Sequence, residues 1–270
     1  MNVMKNRELI LYCIQHMAKK EHIHNFFTNK EIYFKKTDSY QKLASRIVEN
    51  NNVEITIAEL TDFFRINWKA QPSNLHFENL KSGKLTGHSW HGAMPSMLHM
   101  SMQNKVREHI KGEFDLDRLL QTGTDIMKHE CFMVCVHDLV ETMIIETFQE
   151  TIPAIGNKSI SDFVFNCNPY DLKITNYFDG YTKKYVNDNK EKIVEELILG
   201  ADILRLRKQA EKTINNWGSN RFFVLVEDQN RWLEEPEVVI EELTMEIKKI
   251  VKPINVEIDG ITITTQLIAI

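Results

Sequence analysis

The sequence predicts an α/β (α+β) protein with a central mixed β-sheet flanked by helices and a mostly helical N-terminal region. Three observations carry this expectation. Residues 1–70 read mostly as helices. In the second half, two pairs of β-forming runs are each joined by turn residues, at Asn166-Cys167-Asn168-Pro169 and at Asp259-Gly260. Between them lies Arg221-Phe222-Phe223-Val224-Leu225-Val226, a nearly continuous apolar run of the kind buried on both faces of a sheet. The chain accordingly divides into residues 1–127, mostly helical, and 128–270, where helices and strands alternate.

In the first half, Glu8 to Lys19 and Tyr40 to Asn50 read as helices. Thr56 can cap a third that runs to about Ile66, with Glu59 as the partner in a capping box. The second and third are joined by Asn50-Asn51-Asn52 and are spaced like a helix-turn-helix, a candidate for DNA recognition. Residues 70–92 are rich in loop signals, and 96–111 read as helix. Met94, Met97, Met100 and Met102 are expected in a core rather than around a cofactor.

The second half opens with an apolar helix over Cys131 to Glu150, ending before Pro153 and Gly156. Ser159 to Phe165 and Tyr170 to Thr175 form the expected first hairpin. Asn187 to Asn215 reads as helix, interrupted at Gly200, and Pro236 to Val251 as another. Asn255 to Ile258 and Ile261 to Ile268 close the chain as a second hairpin.

Composition narrows the function classes. With 43% hydrophobic and 26% charged residues, the chain is ordinary globular material. No segment has the length and apolarity of a membrane span, and residues 1–7 lack the pattern of a signal peptide. The four cysteines form no CxxC pair, which points away from a zinc site and toward a reducing cytoplasm. GxxxxGK[ST] and GxGxxG are both missing, so no nucleotide cofactor is expected. A net charge of −5 disfavours a protein that merely coats nucleic acid, although an enzyme can confine its positive charge to one cleft.

The informative segment is Ser161-Asp162-Phe163-Val164-Phe165 followed by Pro169-Tyr170-Asp171-Leu172-Lys173-Ile174-Thr175. With side chains alternating along a strand, Asp171, Lys173 and Thr175 share one face, and Leu172 and Ile174 the other. A hairpin would bring Asp162 beside them. Carboxylates and an ammonium on a partly buried strand are costly unless partnered, and a divalent cation is one such partner. Two aspartates suit magnesium, a hard ion that takes carboxylate oxygens and keeps several waters. The metal activates a water and polarises a phosphoryl oxygen, while a nearby lysine orients the water or neutralises developing charge.

Asp162, then Asp171-x-Lys173 nine residues on, resembles the signature of the PD-(D/E)xK nuclease superfamily. Ser161 stands where that signature often has proline. The resemblance covers roughly residues 130–270. It implies a restriction-endonuclease-like core, with Asp162 and Asp171 binding Mg²⁺ (Mn²⁺ can substitute) and Lys173 positioning water. It also implies a glutamate on the preceding helix. Of Glu141, Glu146 and Glu150, helical projection sets Glu141 at the edge of the apolar stripe of Val136, Val140, Ile144 and Phe148, and Glu146 on the polar side with Asp138 and Thr142. Glu141 is therefore the fourth candidate catalytic residue. His137 also falls inward, where a core histidine is expected rather than a ligand.

Contacts to DNA are expected from Lys81, Lys84, His88, Trp90 and His91 in the loop-rich stretch, from Lys183 and Lys184 after the catalytic strand, and from Arg205, Arg207 and Lys208 on a helix. The expected function is that of a type II restriction enzyme, a homodimer acting on double-stranded DNA. The rivals are a repair or junction-resolving nuclease of the same superfamily and a non-catalytic DNA-binding regulator built on residues 40–68.

Overall fold

The computed structural model describes residues 3–35, 39–50, 53–70 and 136–270 apart from 157, 158, 179, 201, 202, 229, 230, 232–234 and 251, together with 117, 120, 121, 123 and 124. The loop-rich stretch at 70–92 beyond Ala70, the helix expected over 96–111 and the start of the apolar helix at Cys131 lie outside the described residues.

Four N-terminal helices come first: α1 (Val3–His16), α2 (Lys20–Thr28), α3 (Tyr40–Glu49) and α4 (Ile57–Lys69). The capping box expected at Thr56 is formed in both directions. Thr56 Oγ1 accepts from the Glu59 amide at 3.1 Å, and Glu59 Oε2 accepts from the Thr56 amide at 3.0 Å. The helix runs one turn beyond the expected end, because Phe64, Arg65 and Trp68 continue its buried face. Helix α3 packs on α1 and α2, while α4 lies against α1 and the sheet.

Next come α5 (His137–Thr147), β1 (Ile152–Pro153), β2 (Phe163–Phe165) and β3 (Asn168–Asn176). The first hairpin is tighter than expected. Asn166 and Cys167 both take positive φ, at 50° and 60°, and form a two-residue turn whose twist matches the strands it joins. Three helices, α6 (Lys183–Asp188), α7 (Lys190–Leu199) and α8 (Ile203–Ala210), occupy the stretch where a helix was expected over 187–215; the expected break at Gly200 is present, a second falls at Asn189, and the last helix ends at Ala210. They lead through a 3₁₀ segment at Ile214–Ser219 into β4 (Arg221–Val226), then α9 (Pro236–Lys248), β5 (Ile254–Ile258) and β6 (Ile261–Ala269).

The six strands form one mixed sheet in the order β1-β2-β3-β4-β6-β5. β1, β2 and β3 are an antiparallel meander; β3, β4 and β6 run parallel; β5 pairs antiparallel with β6. The mixed sheet flanked by helices agrees with the expected fold class. β1 was not foreseen, because two residues hold no periodicity.

Two apolar layers sandwich the sheet. The first gathers α1 to α5 and α9 against Leu172, Ile174, Phe222, Val224 and Ile268. The second gathers α6, α7 and α8 against Phe223, Leu225, Ile263 and Leu267. Strands β4 and β6 are thus covered on both faces, as the run at 221–226 requires. β3 is not: Leu172 and Ile174 enter the first layer, but Asp171, Lys173 and Thr175 on the other face are only partly buried. In the second layer α6 and α7 pack on β5 and β6 and α8 on the 3₁₀ segment, leaving this face of β3 toward a pocket.

Arg65 ties the N-terminal helices to α5. Its buried guanidinium donates to the carbonyl oxygens of Ile145 at 2.9 Å and Thr151 at 3.3 Å, and to Gln149 Oε1 at 3.2 Å. Carbonyls at the end of a helix lack partners within it, and a cation there also meets the negative end of the helix dipole. Replacing Arg65 by Met is expected to cost about 3 kcal/mol in urea unfolding, since several bonds to a charged donor are lost and the acceptors stay buried. Arg65→Lys should recover part of that loss; an unchanged unfolding midpoint in Arg65→Met would refute the capping role.

Candidate active site

The site is built where β2, β3 and α5 meet. Asp162 lies one residue before β2, in a bend rather than inside the strand expected over 159–165. It is nevertheless held on both sides. Its amide donates to the Tyr170 carbonyl at 2.8 Å, and its own carbonyl accepts from the Ala154 amide at 2.7 Å. Its carboxylate Oδ2 accepts from the Leu172 amide at 2.7 Å, taking the place of a backbone acceptor where β2 begins. Directly before it, the buried Ser161 hydroxyl is paired with Tyr12 Oη of α1 at 2.6 Å.

Asp171 is in β3 and its side chain is 13% exposed. Oδ1 accepts from Lys173 Nζ at 2.8 Å, the two residues sharing a strand face as the alternation predicts. Oδ2 is buried without a hydrogen-bond partner, with Arg221 Nη1 at 3.4 Å. Arg221 opens β4 at the position that pairs with Asp171 in the parallel ladder. Its side chain is buried and donates to the carbonyls of Asn220 at 2.9 Å and Gly218 at 3.3 Å, and to Gln209 Oε1 at 2.7 Å. Gly218 has to be glycine there, since a Cβ would come within 2.9 Å of the Gln209 carbonyl oxygen and of Thr213 Cγ2.

Glu141 and His137 come from α5, one turn apart. His137 stands between two carboxylates, with Nδ1 at 4.0 Å from Glu141 Oε2 and Nε2 at 3.8 Å from Asp162 Oδ2. It is therefore part of the acidic cluster and not a core histidine. Glu141 is largely buried and accepts from the Trp68 side chain of α4. Glu146 pairs with Lys69 at 3.8 Å, away from the cluster, while Thr142 is buried rather than on a polar face.

The electrostatics follow from this crowding. Burial, then the charges of Asp162 and Asp138, push the Glu141 carboxyl well above the usual carboxylate range, against the Trp68 hydrogen bond. Burial also raises Asp162; His137, the Leu172 amide and Lys173 pull it down, and Asp171 pushes it up. Burial lowers the Arg221 guanidinium, while Asp171 beside it works in the opposite direction.

The structure thus brings Glu141, Asp162, Asp171 and Lys173 into one neighbourhood. Sequence reasoning missed Arg221 and misassigned His137. The only signal for Arg221 was a cation at the start of an otherwise apolar buried run. Among the described residues, no three His, Cys, Asp or Glu side chains converge at metal-ligand spacing. Asp162 and Asp171, with the unpartnered Oδ2, still form an all-oxygen donor set that fits a hard cation retaining its own waters.

The residues expected at DNA are placed as follows. Lys183 pairs with Glu246 of α9 at 3.5 Å, and Arg207 pairs with Asp259 in the last hairpin turn. Lys184 and Lys208 are exposed. Arg205 is exposed on α8 and, together with Lys173, Thr175, Phe178, Arg221 and Phe223, lines a pocket of about 330 Å³ beside Asp171. Lys81, Lys84, His88, Trp90 and His91 lie outside the described residues. Compared with protein-family models, curated proteins and solved structures, the chain matches none.

The raised Glu141 carboxyl has a measurable consequence. A group whose folded pKa lies above its unfolded value loses stabilising effect as pH rises from the ordinary glutamate range, about 4.3, through the folded value. With metal removed by chelator, Glu141→Gln should therefore melt higher than the parent at about pH 8, because the amide still accepts from Trp68 and carries no charge. The gain should vanish near pH 4. Equal effects at both pH values would show that Glu141 is not under charge pressure.

Proposed function

We propose that this chain is a magnesium-dependent endonuclease of the PD-(D/E)xK kind that cuts double-stranded DNA at a specific sequence, as a type II restriction enzyme does. The observation that carries the reading is Asp171, a carboxylate on a central strand with one oxygen on Lys173 and the other buried without a hydrogen bond, beside Asp162. The element order also supports it: helix, strand hairpin, helices and a further strand, with the acidic residues on the hairpin and Glu141 on the helix, as the resemblance implies.

Asp162 and Asp171 would hold the ion. When bound, it would lower the pKa of a coordinated water and polarise a phosphoryl oxygen. Lys173, whose side chain is 41% exposed, can exchange its contact with Asp171 for one with a water or a phosphate oxygen. Arg221, with Nη1 at 3.4 Å from Oδ2, stands beside the Asp171 carboxylate. Glu141, its carboxyl pushed up by burial, lies beside His137, which faces Asp162. Residues 1–127 supply additional chain for reading sequence, and cutting both strands of a palindrome calls for two copies related by a twofold axis. The pocket beside Asp171 favours one second reading, a repair or junction-resolving nuclease that works on distorted DNA.

The test is plasmid digestion with and without Mg²⁺. Discrete metal-dependent fragments are expected, with loss of about a thousandfold or more in rate for Asp171→Ala and roughly a hundred- to a thousandfold for Lys173→Ala. A metal-dependent smear would favour the second reading. Absence of cleavage of any DNA, or full activity in Asp171→Ala, would overturn the proposal.

A further inference from the structure

The two edges of the sheet are unlike. β1 is two residues long and lies against α4. β5 forms the other edge over Ile254–Ile258, and among the described residues no strand pairs with its outer side. An open edge of this kind is a template for another strand. The last hairpin fixes which backbone groups face outward. Asp259 and Gly260 take φ of 53° and 77°, so the two-residue turn closes with Ile258 and Ile261 as a hydrogen-bonded pair. Hydrogen-bonded and non-hydrogen-bonded pairs then alternate, which leaves Asn255↔Thr264 and Glu257↔Thr262 without bonds between them. The Thr264 amide agrees, donating away from β5 to Asn220 Oδ1 at 3.0 Å. The N–H and C=O groups of Asn255 and Glu257 therefore face the outer edge, and they have no hydrogen-bond partner among the described residues. The side chains of both residues are exposed on one face of the strand, while Ile254, Val256 and Ile258 are half-buried on the other, against the second apolar layer.

We propose that β5 is the surface on which two copies of this chain meet, paired antiparallel about a twofold axis at Val256. In that register Asn255 of each copy lies opposite Glu257 of the other, two pairs that each exchange two backbone bonds through groups already aimed outward. The Asn255 amide can donate to the facing carboxylate, and Ile254 meets Ile258, so the second apolar layer runs on across the axis. The neighbouring registers are worse. Centring the axis on Asn255 sets Glu257 against Pro253, which has no N–H to give, and centring it on Glu257 sets two carboxylates face to face. One self-complementary register is what an isologous interface requires. The proposal deepens the nuclease reading, which asks for two copies, by naming where they join; its own grounds are the hydrogen-bond parity and charges of β5.

The experiment is sedimentation of the full chain over about 5–200 µM, where a dimer with a micromolar dissociation constant is expected. Asn255→Glu, which puts like charges opposite one another twice, should weaken it roughly tenfold, and Asn255→Lys should tighten it several-fold at low salt. Position 255 is exposed, and circular dichroism checks that both variants fold. With oxidised glutathione, Val256→Cys should form a disulfide-linked dimer, because Cα atoms at the axis lie about 4.5 Å apart, within the range a disulfide spans. Glu257→Cys, displaced along the strand to a separation beyond about 7 Å, should not exceed the background set by the wild type and its own cysteines. A monomer at every concentration, a dimer to which both charge variants are indifferent, or linkage through position 257 and not 256 would overturn the proposal. Plasmid digestion separates the two readings. Metal-dependent cleavage by a chain that stays monomeric removes the β5 interface and leaves the nuclease, whereas a β5 dimer that cuts no DNA removes the nuclease and leaves the interface.

Discussion

A carboxylate on an inner strand must be neutralised or given a ligand, and Asp171 imposes that condition on everything around it. The parallel pairing of β3 with β4 puts Arg221 across from it, and the pleat of β3 puts Lys173 two residues along on the same face. Neither cation takes up Oδ2 fully, since Arg221 stands at 3.4 Å and spends its hydrogen bonds on Asn220, Gly218 and Gln209. The result is a buried carboxylate oxygen held in place without a hydrogen-bond partner.

The rest of the fold supports that arrangement from a distance. The first apolar layer fixes the far face of β3 through Leu172 and Ile174. Tyr12 reaches from α1 to Ser161, Trp68 from α4 to Glu141, and Arg65 from α4 to the end of α5. The N-terminal helices therefore share one continuous core with the sheet and contribute polar contacts to the elements that carry the acidic groups. These contacts hold the crowded carboxylates in place.

The second apolar layer matters for what it leaves open. Helices α6 and α7 pack on β6 and β5 and α8 on the 3₁₀ segment before β4, so the polar face of β3 fronts a pocket rather than a core. The layer is divided into three helices at Asn189 and at Gly200, the second being the interruption expected from the sequence. Catalytic candidates and pocket thus arise from one feature, an incompletely covered strand.

Much of this was legible in the sequence wherever the deciding forces are local. The capping box at Thr56, the hairpin after Phe165, the turn at Asp259-Gly260, the doubly buried β4 and the alternation that joins Asp171 to Lys173 depend on residues a few positions apart. Their backbone and pleat geometry is set by those neighbours alone. Tertiary structure decided the rest. It moved Asp162 just outside its strand, turned His137 toward two carboxylates, and set Arg221, fifty residues along the chain, beside Asp171. These placements follow from which strands pair and which helices cover them. That choice is made by burial summed over the whole chain, and no short window of sequence contains it.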